Sequence, residues 1–246
     1  MFRILWVYFQ AFFYILCHLP TIRKHSKYPE RYSNRERFQH VKAVALRVVR
    51  WSGCPVEVIG KEHLLDEPVL FVANHASMID PYFLSAAINY PTGAVIAGDE
   101  GYEKIPIISS WLQATGSIYV DRENPRRALE GIHQGIKNIQ EGWSLILFPE
   151  GEITRYVDPT AKVAPFQTGG LKIAIKAKVP IVPIAISGTH RVYKWRSIIG
   201  PLRKNPVKIT ILPPYTKHLD AGVTAKDMAE ELREIVMAHV DHEVHH

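Results

Sequence analysis

Two side chains in the sequence, His75 and Asp80, could together carry out acid–base chemistry. They belong to the run Asn74-His75-Ala76-Ser77-Met78-Ile79-Asp80-Pro81. A neutral imidazole can remove a proton from a hydroxyl group near pH 7, and a carboxylate on the other ring nitrogen fixes the tautomer and stabilises the imidazolium. Because a spacing of five does not place two residues on one helical face, the contact requires His75 on a loop and Asp80 at a helix start. An aspartate before a proline is also typical of an ordinary helix N-cap, so the pair supports both interpretations.

A second polar turn has the sequence Phe148-Pro149-Glu150-Gly151 and is followed by Arg155. Many turns of this composition have no chemical role. An arginine beside a turn of backbone N–H groups is nevertheless well suited to binding a phosphate through two hydrogen bonds. Arg122, which directly follows Asp121, is either a second phosphate contact or the surface partner of that aspartate.

The elements that must position these side chains are short apolar runs, which alternate along the chain with segments of helical periodicity. Seven runs predict strands: Val56 to Ile59, Val69 to Ala73, Ala94 to Ala97, Ser117 to Val120, Leu145 to Phe148, Ile181 to Ile186 and Val207 to Leu212. Asn124 with Pro125 predicts one helix start, and Thr224 with Asp227 predicts another. The sequence therefore predicts a single α/β domain with a mixed, largely parallel sheet flanked by helices. In such sheets ligands collect at the carboxyl ends of the strands.

The composition fits one globular domain and locates its positive charge. The chain has 246 residues, of which 47% are hydrophobic and 22% charged, and its formal net charge is +6. Residues 21 to 50 hold nine of the 30 Lys and Arg residues against two acidic residues, a net charge of +7. The remainder has a net charge of −1 and lacks a basic-aromatic platform, which argues against nucleic-acid binding.

An aromatic apolar run precedes the basic stretch. Seven of the 25 aromatic residues fall within the first 14 positions, in or beside the run from Ile4 to Leu19. A bilayer crossing needs about 20 apolar residues, so the run is consistent with a span and equally with a tilted, half-inserted or interfacial helix. The basic residues that follow favour the cytoplasmic face of a phospholipid membrane. We therefore predict a membrane-associating helical segment over residues 1–51 and an α/β domain over residues 52–246.

Two further patterns lie in or near the basic stretch. Phe38, Val41, Ala45 and Val48 recur at spacings of three and four, which predicts an amphipathic helix whose apolar stripe could face the bilayer or the protein. The two cysteines, Cys17 and Cys54, have neither the spacing of metal ligands nor the number of a disulfide framework. The sequence therefore predicts a reducing compartment and no metal site.

Four blocks of the chain, taken in order, resemble the motifs of the glycerolipid acyltransferase family, which includes the lysophosphatidic acid acyltransferases. The blocks are Asn74-His75 with Asp80, Gly116 to Arg122, Phe148-Pro149-Glu150-Gly151, and Val179-Pro180-Ile181-Val182-Pro183. The resemblance implies an α/β acyltransferase domain in which His75 is the general base and Asp80 its orienting carboxylate. It also implies that the second and third blocks, together with Asn74, bind the glycerol-phosphate acceptor.

The same resemblance implies a reaction. His75 would take the proton from a free hydroxyl of lysophosphatidic acid or a related lysophospholipid as that oxygen attacks the thioester of acyl-CoA or acyl-carrier protein. Backbone N–H groups or a helix N-terminus near the same turn would stabilise the tetrahedral oxyanion. The acyl donor is then a cosubstrate, and no further cofactor is expected.

The third block departs from the family pattern. The family commonly has Phe-Pro-Glu-Gly-Thr-Arg-Ser, whereas Gly151 is followed here by Glu152-Ile153-Thr154-Arg155, so Arg155 matches the family arginine only if two residues are inserted. A lysine that commonly follows the next phenylalanine is replaced by Gln167, which leaves Lys162 or Lys172 to supply that cation.

Two alternatives of other classes remain. A lipid hydrolase using the same histidine and aspartate would need a serine at a strained turn, and the chain contains no Gly-x-Ser-x-Gly. A non-catalytic membrane-binding protein would explain the N-terminal segment equally well but would leave His75 with Asp80 and Glu150 with Gly151 without a role.

Overall fold

The computed structural model describes residues 2–98, 106–121, 124–154, 158, 160–192, 204–220 and 223–241. The chain begins with two helices, α1 (Phe2–Lys27) and α2 (Asn34–Ser52), which pack against each other. A capping box starts α2: the Ser33 hydroxyl accepts the Glu36 N–H at 3.2 Å, and the Glu36 carboxylate accepts the Ser33 N–H at 2.8 Å. The helix ends at Ser52 and is capped by Gly53, whose φ of 59° lies in the left-handed region that glycine adopts at little cost.

The apolar stripe of α2 faces the protein. Phe38, Val44 and Ala45 are all buried. Beside them the buried Arg37 donates hydrogen bonds to the carbonyls of Ala114 at 2.8 Å and Gln113 at 2.9 Å. Of the two orientations open to this helix, packing on the folded domain is therefore the one adopted.

Among the described residues, seven strands form one mixed sheet. They are β1 (Val56–Ile59), β2 (Leu70–Ala73), β3 (Thr92–Gly98), β4 (Ile118–Asp121), β5 (Ser144–Leu147), β6 (Ile181–Ser187) and β7 (Val207–Ile211). Their order across the sheet is β1-β7-β6-β2-β5-β3-β4. Strands β6, β2, β5, β3 and β4 are parallel, β7 runs antiparallel to β6, and β1 is parallel to β7. The predicted fold class and all seven predicted strands are confirmed.

Helices cover both faces of this sheet. Those after α2 are α3 (Asp80–Ala87), α4 (Pro106–Ala114), α5 (Pro125–Gln140), α6 (Thr168–Ala177), the short α7 (Thr189–Val192) and α8 (Ala225–His239). Leu70 and Val72 of β2 pack under α5, α6 and α8, whereas Phe71 and Ala73 pack with α3. The strand is apolar throughout because each face meets a hydrophobic layer.

Two predicted helix starts are confirmed in detail. The Asn124 side chain accepts the N–H groups of Arg126 and Arg127 at the start of α5. The Thr224 hydroxyl accepts the Asp227 N–H at 3.1 Å at the start of α8. Both caps satisfy backbone donors that have no partner within their helix.

The first helix carries an exposed aromatic face. Trp6, Phe9, Phe12 and Phe13 are each 57–59% exposed and Leu16 is 47% exposed. Within the part of the chain that the structure describes, no helix combines the length and the apolar content that a bilayer crossing requires.

Candidate active site

The sheet brings the two predicted motif turns together. Strand β2 lies between β5 and β6 and is parallel to both. Because the carboxyl ends of parallel strands meet at one edge of a sheet, the loop after Ala73 and the turn after Leu147 emerge side by side. The structure therefore gathers Asn74, His75 and the residues from Phe148 to Gly151 at one edge.

His75 and Asp80 are in direct contact. The Nδ1 atom of His75 lies 2.9 Å from Oδ2 of Asp80. The Asp80 side chain is fully buried, and that of His75 is 18% exposed. The same Oδ2 atom accepts the N–H groups of Ala76 and Ser77, each at 2.7 Å. The predicted loop-to-helix contact is present, and one carboxylate oxygen organises the whole loop that carries the histidine.

The interpretation of Asp80 as a helix N-cap is wrong. Ile79 occupies the N-cap position of α3, and Asp80 is the first helical residue. Its carboxylate points to the preceding loop, where it accepts hydrogen bonds from the imidazole of His75 and from two main-chain N–H groups. Pro81 still lies in the first turn, where a proline costs no hydrogen bond.

The contact with Asp80 decides which imidazole nitrogen can act as a base. An oxygen that already accepts two backbone N–H bonds is an acceptor, so Nδ1 of His75 carries the proton in the neutral ring. The unprotonated Nε2 atom makes no hydrogen bond with the described residues. The Phe148 ring stacks on the imidazole with centroids 4.2 Å apart and an interplanar angle of 21°. Phe148 thus holds one face of the imidazole and Asp80 holds Nδ1, so Nε2 is the atom that can accept a proton.

Glu150 supports this loop from the neighbouring strand. Its Oε1 atom accepts the His75 N–H at 2.5 Å, and its Oε2 atom accepts the Ala164 N–H at 2.7 Å. Burial raises the pKa of the Glu150 carboxyl to about 7, against the effect of these two hydrogen bonds. The negative charge of Asp80 raises the pKa further, whereas the positive charge of Arg233 lowers it.

Further bonds fix the same loop. The His75 carbonyl accepts the Thr154 N–H at 3.1 Å. The buried Asn74 side chain bridges to β6, donating to the Ile186 carbonyl at 3.0 Å and accepting the Ile186 N–H at 2.8 Å. Gly151 has a φ of +78°, which explains a glycine at the end of the neighbouring turn. The candidate base is therefore held by β5, β6 and the loop after Gly151.

The first N–H groups of this loop are already occupied. Those of His75, Ala76 and Ser77 donate to Glu150 or to Asp80 at 2.5–2.7 Å. An N–H group has one hydrogen, so these three do not supply the oxyanion site that we expected near this turn.

Of the predicted site residues, Asn74, His75, Asp80, Phe148, Pro149, Glu150 and Gly151 lie at this edge of the sheet. Arg122 and Arg155 lie outside the described residues. The roles assigned to all nine residues stay predictions. Within the described part of the chain, no group of three or more His, Cys, Asp or Glu side chains is arranged to hold a metal ion.

Sequence reasoning missed Arg233, which holds the segment that binds Glu150. Arg233 of α8 donates to the carbonyls of Ala164 at 3.1 Å and Val163 at 2.8 Å, which fixes the loop segment whose N–H group binds Glu150. Nothing in the sequence links Arg233 to the motif blocks, because the contact is made by a side chain to main-chain atoms about 70 positions earlier.

Comparisons with known proteins identify the family of this chain. Residues 55–187, more than half of the chain, match the family model described as Acyltransferase. The chain therefore belongs to the acyltransferase family, as its motif blocks predicted.

Individual relatives share one description. The chain is 34% identical over 165 residues to a 1-acyl-sn-glycerol-3-phosphate acyltransferase of Limnanthes alba, covering 66% of this chain and 55% of that protein. It is 26% identical over 198 residues to a Saccharomyces cerevisiae protein of the same description, covering 80% of this chain and 61% of that one. The chain thus spans between about half and two thirds of the length of these relatives.

A solved structure shows the same fold. The crystal structure of the 1-acyl-sn-glycerophosphate (LPA) acyltransferase PlsC from Thermotoga maritima superposes with a TM-score of 0.74 at 23% sequence identity. The match covers 96% of this chain and 92% of that protein. The α/β architecture with its N-terminal helices is therefore shared by the two proteins.

Proposed function

We propose that this protein is an O-acyltransferase that moves a fatty acyl group from an acyl thioester to the free hydroxyl of lysophosphatidic acid or a related lysophospholipid. The observation that carries the proposal is the 2.9 Å contact between Nδ1 of His75 and Oδ2 of Asp80, which leaves Nε2 open at the carboxyl edge of the sheet. Family membership supports the transfer reaction, and the description of the relatives supports the acceptor.

The proposed reaction follows from the position of Nε2. This atom of His75 accepts the proton of the acceptor hydroxyl as the hydroxyl oxygen forms a bond to the thioester carbonyl carbon. The carbon–sulfur bond then breaks, and the departing thiolate receives the proton from the imidazolium. Asp80 holds the ring in the required tautomer and stabilises its positive charge. A thiolate is a good leaving group, so the reaction needs no covalent acyl-enzyme.

Glu150 and Asn74 act in this proposal through the base. The two carboxylate oxygens of Glu150 bind main-chain N–H groups, and both polar atoms of the Asn74 side chain bind Ile186. These bonds set the distance of the His75 loop from β5 and β6. Such positioning matters because small displacements of a reacting group cost large factors in rate.

The exposed aromatic face of α1 supports an association with lipid. Trp6, Phe9 and Phe13 lie three and four positions apart and stack in sequence, with ring centroids 5.9 Å and 6.3 Å apart. A contiguous exposed apolar patch of this kind is typical of an interaction surface. We propose that α1 lies in the membrane interface, which brings the site to lipid substrates.

The experiment is an acyl-transfer assay with the purified protein in detergent, radiolabelled acyl-CoA and lysophosphatidic acid. Labelled phosphatidic acid is the expected product. The His75→Ala variant should lose at least about a hundredfold in turnover, the lower range for general-base catalysis. The matched control is His133→Ala, since His133 is exposed on α5.

Two results would contradict the proposal. Full activity of His75→Ala, with unchanged circular dichroism, would remove the histidine from the mechanism. Release of free fatty acid without acylated lipid would instead favour the hydrolase alternative.

A further inference from the structure

A large cavity opens beside His75 at the carboxyl edge of the sheet. Its volume is about 670 Å³, within the range of roughly 300–1,000 Å³ that is typical of small-molecule sites. Asn74 and Ala76, the two neighbours of His75, form part of its wall. The remaining wall comes from the loop after β6, the first residues of β7 and β1, and the end of α8. The cavity therefore adjoins the loop that carries the candidate base, on the β6 side.

This cavity lies on the opposite flank of His75 from the second and third motif blocks. Strand β5, which delivers Glu150, borders β2 on one side, and β6 borders β2 on the other. The described part of the second block ends at Asp121 of β4, which lies two strands beyond β5 on that side. A reaction between two substrates at one histidine needs two approaches, and the cavity supplies the approach that the motif blocks leave open.

The charges in the cavity favour an anion. Three cationic side chains, Lys162, Arg191 and Lys208, line it against the two carboxylates of Glu57 and Asp241, and Lys208 pairs with Asp241 at 2.9 Å. Lys162 is half-buried and makes no hydrogen bond or ion pair with the residues that the structure describes. A lysine on the cavity wall that has no carboxylate partner among the described residues is available to form a charge-assisted hydrogen bond with an anionic ligand.

Hydrogen bonds also connect the loop that carries Lys162 to the loop that carries His75. It lies two residues before Ala164, whose N–H group donates to the Glu150 carboxylate at 2.7 Å. The other oxygen of that carboxylate holds the His75 N–H. The Glu150 carboxylate therefore fixes the position of Lys162, and of a ligand bound to it, relative to His75.

We infer that this cavity binds the phosphate-bearing arm of the acyl donor, with Lys162 and Arg191 as its cationic contacts. The inference rests on the proposed function. Acyl-CoA and acyl-carrier protein both present their thioester on a phosphopantetheine arm, so the shared chemistry is an acyl thioester joined through a flexible chain to a phosphate. The thioester reaches Nε2 of His75 from the β6 side, while the acceptor hydroxyl approaches from the β5 side.

The first test compares Lys162→Gln and Arg191→Gln with the parent protein in the acyl-transfer assay. Loss of one charge-assisted contact should raise the KM for acyl-CoA about tenfold and leave the KM for lysophosphatidic acid unchanged. With an acyl-pantetheine donor, which lacks the phosphate, variant and parent should have equal KM values. Lys176→Gln is the matched control, because Lys176 is exposed on α6 and does not line the cavity.

The results separate donor from acceptor. A rise in the KM for lysophosphatidic acid, with the KM for acyl-CoA unchanged, would overturn the inference, since the cavity would then bind the acceptor. An equal loss with acyl-pantetheine would also overturn it, because the effect would not depend on phosphate. A rise for acyl-CoA and for acyl-carrier protein alike would support a contact to the shared phosphate, and a rise for acyl-CoA alone would support one to the nucleotide phosphates.

A binding measurement keeps this inference distinct from the proposed function. Calorimetric titration of the full chain with free coenzyme A should show binding that weakens about tenfold in Lys162→Gln, whether or not the protein transfers acyl groups. If the parent transfers acyl groups but both variants bind coenzyme A as the parent does, the inference fails and the proposed function stands. If coenzyme A binds through Lys162 but no acyl transfer occurs, the proposed function fails.

Discussion

Glu150 holds the main chain of His75 from the neighbouring strand: its Oε1 atom accepts the His75 N–H at 2.5 Å across 75 positions of sequence. The other oxygen, Oε2, accepts the Ala164 N–H at 2.7 Å. A single buried carboxylate therefore ties together the loop that carries the candidate base and the loop that carries Lys162. This double contact makes Glu150 a positioning residue whose properties can be tested apart from catalysis.

The Glu150→Gln variant should fold with reduced stability and turn over slowly. A glutamine side chain has one acceptor oxygen, so its amide group would face one of the two N–H donors and leave it without a partner. A buried donor without a partner costs about 1–3 kcal/mol, which urea unfolding would measure. We expect kcat to fall more than the KM for either substrate. Glu141→Gln, at an exposed position, is the control, and an E150Q variant with parental stability and kcat would contradict the positioning role.

The raised pKa of Glu150 predicts a dependence of stability on pH. Its pKa is 4.5 in an unfolded chain and about 7 in the folded protein, chiefly because of burial. The folded state therefore keeps a proton that the unfolded state loses, and this stabilising contribution is full below pH 4.5 and is lost as the pH rises through about 7. Urea unfolding at intervals from pH 4.5 to 8 should show a steeper decline for the parent than for E150Q. Parallel curves for the two proteins would refute the assignment.

Replacing Asp80 with Asn should weaken the base while leaving the loop bonds available. An asparagine oxygen in the place of Oδ2 can accept the same three hydrogen bonds, but the neutral side chain no longer stabilises the imidazolium that forms when His75 takes up a proton. We expect kcat to fall about 10²- to 10⁴-fold, the range for loss of general-base catalysis. Nitrogen-15 NMR of the histidines would report the tautomer directly. The control is Asp66→Asn at an exposed position, and a D80N variant with parental kcat would exclude this role for Asp80.

The aromatic face of α1 should control binding to lipid vesicles. A triple change of Trp6, Phe9 and Phe13 to serine removes three exposed rings. Burial of one such side chain contributes about 1.5–3 kcal/mol, so the variant should bind vesicles of anionic phospholipid at least a hundredfold more weakly. Co-sedimentation measures the binding, and activity on detergent-solubilised substrate should be retained. Leu129→Ser, at an exposed position of α5, serves as the control, and undiminished co-sedimentation of the triple variant would place the lipid contact elsewhere.

A cluster of three histidines between α1 and α2 should make their packing sensitive to acid. The ring centroids of His25 and His40 are 5.1 Å apart, and those of His18 and His40 are 5.8 Å apart. Burial lowers the pKa of His25, with a further lowering by Arg37 and an opposing effect of Glu36. Burial also lowers the pKa of His40, and the other two histidines add to this.

The sign of this effect is opposite to that of Glu150. A lowered pKa means that the unfolded state takes up the proton first, so the cluster stabilises the fold above pH 6.5 and destabilises it as the pH falls below that value. Urea midpoints at pH 7.5 and 5.5 should differ less in His40→Gln than in the parent or in His133→Gln. Equal differences in all three proteins would exclude the cluster as the cause.

Local patterns predicted much of this molecule. Asn124 with Pro125 and Thr224 with Asp227 mark the helix starts because a cap is decided by the residues beside it. The hydrogen bonds that Asp80 accepts from the preceding loop were harder to predict from the sequence. An aspartate at a helix start is commonly an N-cap, which binds N–H groups of its own helix instead. The observed use requires the imidazole to converge on the same oxygen as two N–H groups.

Contacts between distant segments were beyond the reach of such patterns. The attachment of Arg37 to the end of α4 and that of Arg233 to Val163 and Ala164 join a side chain to main-chain carbonyls. Main-chain carbonyls are present at every residue, so no residue type marks the partner in the sequence.

The sequence by itself determined the strands, the helix caps and the polar turns that follow the strands, because each depends on the periodicity or composition of a short segment. The motif blocks further identified the family, which the matched residues 55–187 confirm. Only the tertiary structure decided which turns meet. Strand β5 pairs with β2 although β3 and β4 lie between them in the chain, because pairing follows from crossover connections and from burying both faces of the sheet. That choice places Glu150 on His75 and leaves the cavity on the β6 side.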